Sequence, residues 1–125
     1  LLTGIQHIGI PTQNMDATIA FYCRLGFTPV YQIANDEKRV CFLQLNNLVV
    51  ETYESEDLAM QSGAIDHIAI NVTDIDAVFH NIKALKVEIL DPKQGIQFLP
   101  FWKKGIRFFK ISGPSAEVIE FSQIL

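Results

Sequence analysis

Apolar residues recur at helical spacing in two segments and at every second position in most of the remainder. Met15, Ile19, Tyr22 and Cys23 follow Asn14 at that spacing, so a helix capped by Asn14 is predicted to run to about Leu25. Gly26 then stands where a helix-terminating glycine belongs. Ile75, Val78, Phe79, Ile82 and Leu85 form a second stripe, capped by Thr73 or Asp74 and running to about Lys86. Strands are predicted at Thr28–Ala34, Arg39–Leu45 and Leu48–Glu54, then at Val87–Leu90, Gln97–Phe101, Ile106–Ser112 and Glu117–Gln123. Asn46-Asn47, Lys104-Gly105 and Gly113-Pro114-Ser115 supply turns between them.

The two helical segments belong to an internal repeat. Gly4-Ile5-Gln6-His7-Ile8-Gly9-Ile10 matches Ala64-Ile65-Asp66-His67-Ile68-Ala69-Ile70 at an offset of 60 residues, with four of seven positions identical and two more exchanging Gly for Ala. Asp16-Ala17 and Asp76-Ala77 keep that offset. Each half reads strand, helix and then a run of strands, roughly βαβββ. The fold class is therefore α+β. The polar stretch Ser55–Gly63 joins module 1 (about 1–55) to module 2 (about 64–125). Each module alone is a small core, so residues 1–125 are expected to form one domain.

Alternation along the strands sets which side chains share a face. Ile8 and Ile10 face one way and His7 and Gly9 the other; Ile68 and Ile70 oppose His67 and Ala69 in the same manner. In the last strand of each half, Glu51 opposes Val50 and Thr52, and Glu120 opposes Ile119 and Phe121. Each half thus sets one histidine and one carboxylate among apolar strands at matching points. Taken singly, such a histidine is usually structural and such a glutamate usually faces water. Taken together, they make a ligand set. An unpaired carboxylate in an apolar setting costs several kcal/mol, and a divalent cation removes that cost. Two imidazoles and two carboxylates suit Zn, Ni, Co, Mn or Fe rather than Ca.

Charge and composition narrow the partners. Lys and Arg total 10 against 14 Asp and Glu, a net charge of −4, which supplies no general basic footprint for nucleic acid. No apolar run approaches the length of a membrane span, and no secretory signal opens the sequence. Cys23 and Cys41 read as reduced thiols, and the expected location is the cytoplasm. His80 falls inside the second helix and reads as a solvated surface residue.

The chain resembles the vicinal oxygen chelate superfamily, the glyoxalase, bleomycin-resistance and dioxygenase group, and within it members like glyoxalase I. The resemblance is carried by Gln6-His7-Ile8-Gly9-Ile10, Ala20-Phe21-Tyr22 leading into Leu25-Gly26-Phe27, Val49-Val50-Glu51, Asp66-His67-Ile68-Ala69-Ile70, and Val118-Ile119-Glu120-Phe121. It implies paired βαβββ modules forming a U-shaped, incompletely closed barrel around a metal. It implies His7, Glu51, His67 and Glu120 as the ligands of one divalent ion, Zn or Ni first, with Co, Mn and Fe open. It further implies Glu120 as the catalytic carboxylate, a small-molecule substrate with vicinal oxygens, and a homodimer, with a monomer holding an internal site as the alternative. The implied activity is a lactoylglutathione lyase-like lyase or isomerase working through an enolate-like intermediate. The alternatives are a drug- or metabolite-binding protein of the bleomycin-resistance type and another reaction of the superfamily: epimerisation, thiol transfer or dioxygenation. Pro11 and Ser55 replace an Arg and an Asn that help hold glutathione in bacterial glyoxalase I.

The segment Phe98 to Gly105 has two readings. Trp102, Phe98 and Phe101 wall a substrate cavity while Lys103, Lys104 or Arg107 receives an anionic group. Alternatively, the aromatics complete the core and the lysines face solvent.

Overall fold

The computed structural model describes residues 1–35 and 38–125. The chain divides into two compact units, Leu1–Met60 and Gln61–Leu125. Unit 1 contains β1 (Ile8–Thr12), α1 (Met15–Arg24), β2 (Thr28–Asn35), β3 (Lys38–Leu45) and β4 (Leu48–Glu54). Unit 2 contains β5 (Ile68–Asn71), α2 (Ile75–Ala84), β6 (Ile89–Leu90), β7 (Gln97–Leu99), β8 (Ile106–Ser112) and β9 (Val118–Ile124). The α+β class and the paired strand–helix–strands plan follow from that order.

The helix caps explain why the repeat folds twice in the same way. Asn14 and Asp74 both hold an extended backbone, and each side chain accepts from the amide three residues on, Ala17 and Ala77. Such a cap stabilises a helix by about 1 kcal/mol. Asp74, not Thr73, is the second cap: its side chain accepts from the Ala77 amide. That helix ends at Ala84, short of the expected Lys86, which lies beyond the cap with a left-handed φ of 56°. At the matching place in unit 1 the same turn is made by Gly26 with φ 101°. Glycine makes it without the strain a side chain adds.

Sheet order is β1-β4-β3-β2 in unit 1 and β5-β9-β8-β6 in unit 2, with β7 also on β8. The first and last strands of each unit run parallel, and the other pairs are antiparallel. One face of each sheet packs on its helix. Leu43, Val50 and Ile10 are buried in unit 1 beside Met15, Phe21 and Tyr22. Phe109, Ile111 and Ile119 are buried in unit 2 beside Ile75 and Ile82. Full burial of a side chain such as Ile75 contributes about 1.5–3 kcal/mol. Phe79, Phe109 and Phe121 add edge and tilted ring contacts with centroids 4.9 and 5.2 Å apart.

Strand bounds differ from the sequence reading where pairing runs out. The opening strand begins at Ile8, because the ladder with β4 starts at the Ile8–Val50 pair. The expected strands over 87–90 and 97–101 contract to β6 and β7. Both pair with the same edge of β8, β6 near Ile111 and β7 near Phe108, so they are two pieces of one edge strand. Residues 91–96 interrupt it, and Pro100 follows β7, where a proline cannot donate to a ladder. The last strand starts one residue later than expected and reaches Ile124.

Candidate functional site

In unit 1, Gly9 lies opposite Glu51 in the parallel ladder, and His7 precedes Gly9 by one full alternation. His7 and Glu51 therefore share a sheet face away from α1, and His7 Nε2 lies 2.9 Å from Glu51 Oε2. The other ring nitrogen, Nδ1, is 2.9 Å from the side-chain oxygen of Gln6. Phe42, the register partner of Glu51 on β3, meets the His7 ring edge-on at 5.6 Å. Tyr31 in turn lies edge-on to Phe42 at 6.0 Å. An open cleft of about 580 Å³ runs along this face from Glu51 past Tyr53 to Ser55.

Unit 2 repeats the arrangement with different chemistry. Ala69 lies opposite Glu120, and His67 Nε2 is 3.4 Å from Glu120 Oε2. His67 Nδ1 is 2.7 Å from Asp66 Oδ2. That hydrogen bond, followed by the nearby charge of Lys110, holds the Asp66 carboxyl below its ordinary value. Lys110 is the register partner of Glu120 on β8, the place that Phe42 occupies in unit 1. Its Nζ is 3.9 Å from Glu120 and 3.8 Å from Asp66. The Glu120 side chain is 12% exposed against 25% for Glu51, so the second carboxylate is the more secluded.

These contacts bear on what lies between each imidazole and its carboxylate. The Asp66 carboxylate can only accept, so a neutral His67 ring carries its proton on Nδ1 facing it; the Gln6 amide offers either an oxygen or an NH2 to His7 Nδ1, and either tautomer of that ring is satisfied. In unit 2, Nε2 of the His67 ring then presents a lone pair to a Glu120 oxygen 3.4 Å away, acceptor against acceptor. A metal ion between the two would relieve that opposition. The spacing suits a metal. Two ligand atoms about 2.1 Å from one ion lie about 3.0 Å apart at a right angle and about 3.4 Å apart at a tetrahedral angle. Gln6 and Asp66 at Nδ1 stand where outer hydrogen bonds would orient a metal-binding histidine. Each unit thus brings together one histidine and one glutamate. Among the described residues, no group of three or more His, Cys, Asp or Glu gathers as a metal-holding cluster.

The remaining sequence-predicted residues all belong to unit 2. Phe98, Phe101 and Trp102 are 57%, 54% and 71% exposed, so they do not complete the core. Lys103 and Lys104 are exposed beside them. Arg107 is held by Asp76 in a two-point ion pair of 2.6 and 2.8 Å, which raises the guanidinium and lowers the carboxyl. Arg39 makes the matching bond to Asp16 at 2.8 Å. Arg39 and Arg107 stand three residues before Phe42 and Lys110, so this strut from sheet to helix is itself a repeated element. Its recurrence gives Arg107 a structural task. The sequence reading passed over Lys110 and the struts, since both depend on register. His80 is exposed, as a surface residue should be.

A family model described as Glyoxalase/Bleomycin resistance protein/Dioxygenase superfamily matches residues 4–97. The chain belongs to that superfamily. Across 128 residues it is 31% identical to the uncharacterized protein YwbC of Bacillus subtilis (strain 168), covering 95% of this chain and 96% of that protein. Among solved structures, it is similar to a glyoxalase family protein from Enterococcus faecalis. The TM-score is 0.78 at 20% identity, over 95% of this chain and 96% of the other. It is similar also to the fosfomycin resistance protein FosX from Listeria monocytogenes, solved with Mn(II) and sulfate. There the TM-score is 0.77 at 18% identity, over 100% of this chain and 95% of the other. At these identities the structural matches establish the superfamily fold. No helix among the described residues is long and apolar enough to cross a membrane.

Proposed function

We propose that this member of the superfamily is a metal-dependent lyase or isomerase acting on a small substrate with vicinal oxygens. His7, Glu51, His67 and Glu120 are its metal ligands, and Glu120 is its proton-transferring carboxylate. Each unit supplies two ligands, so an ion held by four draws on two units. The homodimer implied by the family resemblance is the assembly in this reading. The observation that carries it is the facing of Nε2 against a carboxylate oxygen in both units, at 2.9 and 3.4 Å, with Nδ1 committed elsewhere.

A bound divalent ion would supply Lewis-acid polarisation of a substrate oxygen. The rest of the chemistry falls to the chain. Glu120 takes a proton from the carbon beside that oxygen and returns it to the adjacent carbon, so no net proton is gained or lost. Its seclusion keeps bulk water from competing for the proton. Glu51, opposed to Phe42 and His7, has the role of a fixed ligand. Pro11 and Ser55 offer no guanidinium or amide where bacterial glyoxalase I holds glutathione, so the reading favours a substrate other than a glutathione adduct.

The test is a metal assay coupled to turnover. Protein stripped of metal is reloaded with Mn, Zn or Ni, and α-proton exchange into deuterated water is followed by NMR on a panel of hydroxyketones, 2-oxo acids and the methylglyoxal–glutathione adduct. The reading expects exchange on at least one compound, dependent on metal and on Glu120. Metal uptake without exchange on any of them would favour a sequestering protein. Failure to take up metal at all would end the reading.

A further inference from the structure

The two His–Glu pairs share a backbone plan but differ in what stands beside the glutamate, and that difference bears on substrate class. Opposite Glu51 the sheet presents Phe42; opposite Glu120 it presents Lys110. The Lys110 ammonium is 3.8 and 3.9 Å from Asp66 and Glu120, close enough for ion pairing and too far for a hydrogen bond. Its three donors are therefore uncommitted to either carboxylate.

A second observation comes from β9. Ser122 follows Glu120 by one full alternation, so both side chains share a face. Ser122 is only 7% exposed, and its Oγ is buried with no hydrogen-bond partner. An unsatisfied hydroxyl in such a place carries a desolvation cost that a ligand oxygen would remove. The matching position in unit 1 is Tyr53, a bulky ring on an open cleft.

We infer that Lys110 and Ser122 form a recognition site for an anionic group on the substrate, adjacent to the carbon at which Glu120 works. The substrate class is a small organic acid, a carboxylate or a phosphonate, with oxygens on neighbouring atoms. Lys110 supplies charge and Ser122 a neutral donor, so one face of unit 2 holds both the acid group and the proton-moving carboxylate. This inference rests on the functional reading above for the position of the reacting carbon. The anion site itself stands on the lysine and the serine.

Calorimetric titration tests it, using methylphosphonate and acetate as anionic probes and acetohydroxamic acid as a neutral vicinal-oxygen probe. Wild type, Lys110→Met, Lys110→Arg and Ser122→Ala are compared, each as metal-free and Mn(II)-loaded protein. Loss of one charge-assisted contact weakens anion binding about tenfold. Lys110→Met is expected to show that loss for at least one anion, with acetohydroxamic acid and metal uptake unchanged. Lys110→Arg restores most of the affinity. Ser122→Ala weakens the anions about threefold while its melting temperature holds or rises, so the lost affinity cannot be laid to a destabilised fold. The stronger of the two anionic probes identifies the acid class. Anion affinities equal within twofold in wild type and Lys110→Met, or no anion binding by wild type in either state, would overturn the inference. Failed metal uptake with Lys110-dependent anion binding intact would break the functional reading and leave this one standing.

Discussion

The His7–Glu51 and His67–Glu120 pairs are copies of one structural idea placed in unlike surroundings. In unit 1 the imidazole is oriented by the neutral amide of Gln6 and flanked by Phe42, and the carboxylate opens onto a cleft. In unit 2 the imidazole is oriented by the charged Asp66, the carboxylate is more secluded, and Lys110 replaces the aromatic. The strand and helix framework fixes where a histidine–glutamate pair goes. The few residues one strand over or one residue back decide what each pair does. An amide and an aromatic suit a fixed anchor. A carboxylate and an ammonium, with a buried hydroxyl on the same face as the glutamate, suit a pair that handles substrate; the buried unpartnered hydroxyl of unit 1, Thr52, lies on the strand face opposite to Glu51.

The largest effect expected from that division is on turnover. Glu120→Gln should lower the exchange rate by roughly a thousandfold, the scale of a lost acid–base group. Glu51→Gln should act chiefly through weaker metal retention, recovering when metal is added in excess. Rate against metal concentration separates them, and equal behaviour of the two variants would erase the proposed division of labour.

Next in size is the loss of a ligand. His7→Ala and His67→Ala should each weaken metal binding by roughly a hundredfold or more, at or beyond the upper end of what outer hydrogen-bond partners cost. Competition with a chelator of known affinity reads this out. A smaller effect belongs to the residues behind the imidazoles. Asp66→Ala should cost about tenfold in metal affinity, and Gln6→Ala less, because a charged acceptor increases the basicity of the opposite nitrogen more than an amide does. Reversal of that order would contradict the contrast between the halves.

The smallest effects concern the paired struts. Asp76 is held below its ordinary value by Arg107, so it binds protons less readily in the folded chain than in the unfolded one. Its contribution to stability is present above the unfolded value, about 3.9, and is lost as pH falls through the lower folded value. Asp76→Asn should therefore leave a small loss of melting temperature at neutral pH that disappears in acid. Melting curves between pH 2 and pH 7 check this. Both residues are solvent-screened, so the loss should be modest and reduced by salt.

Much of this was legible from residue order. The helices, their caps and the turns followed from periodicity and local residue chemistry, the two histidines from the repeat, and the two glutamates from their place in the last strand of each half. Lys110 and the Asp–Arg struts did not, for a definable reason. The repeat holds an offset of 60 through His7 and His67 but 69 by Glu51 and Glu120, so intervening residues fall out of step. Only the pairing register shows that Phe42 corresponds to Lys110 and Arg39 to Arg107. The split edge strand of β6 and β7 was similarly hidden, since short apolar runs do not declare which edge they will share. Ser122 gave no signal at all: a serine in a strand is unremarkable until its hydroxyl is found buried and unmatched.

Everything chemical in this account depends on a cation held between opposed imidazole and carboxylate acceptors. X-ray absorption at the metal edge, on protein loaded with one equivalent of Zn, examines that directly. The account expects a first shell of nitrogen and oxygen near 2.1 Å, with imidazole scattering that corresponds to two histidines and falls to one in His67→Ala. A hydrated ion without imidazole features, identical in wild type and variant, would contradict it.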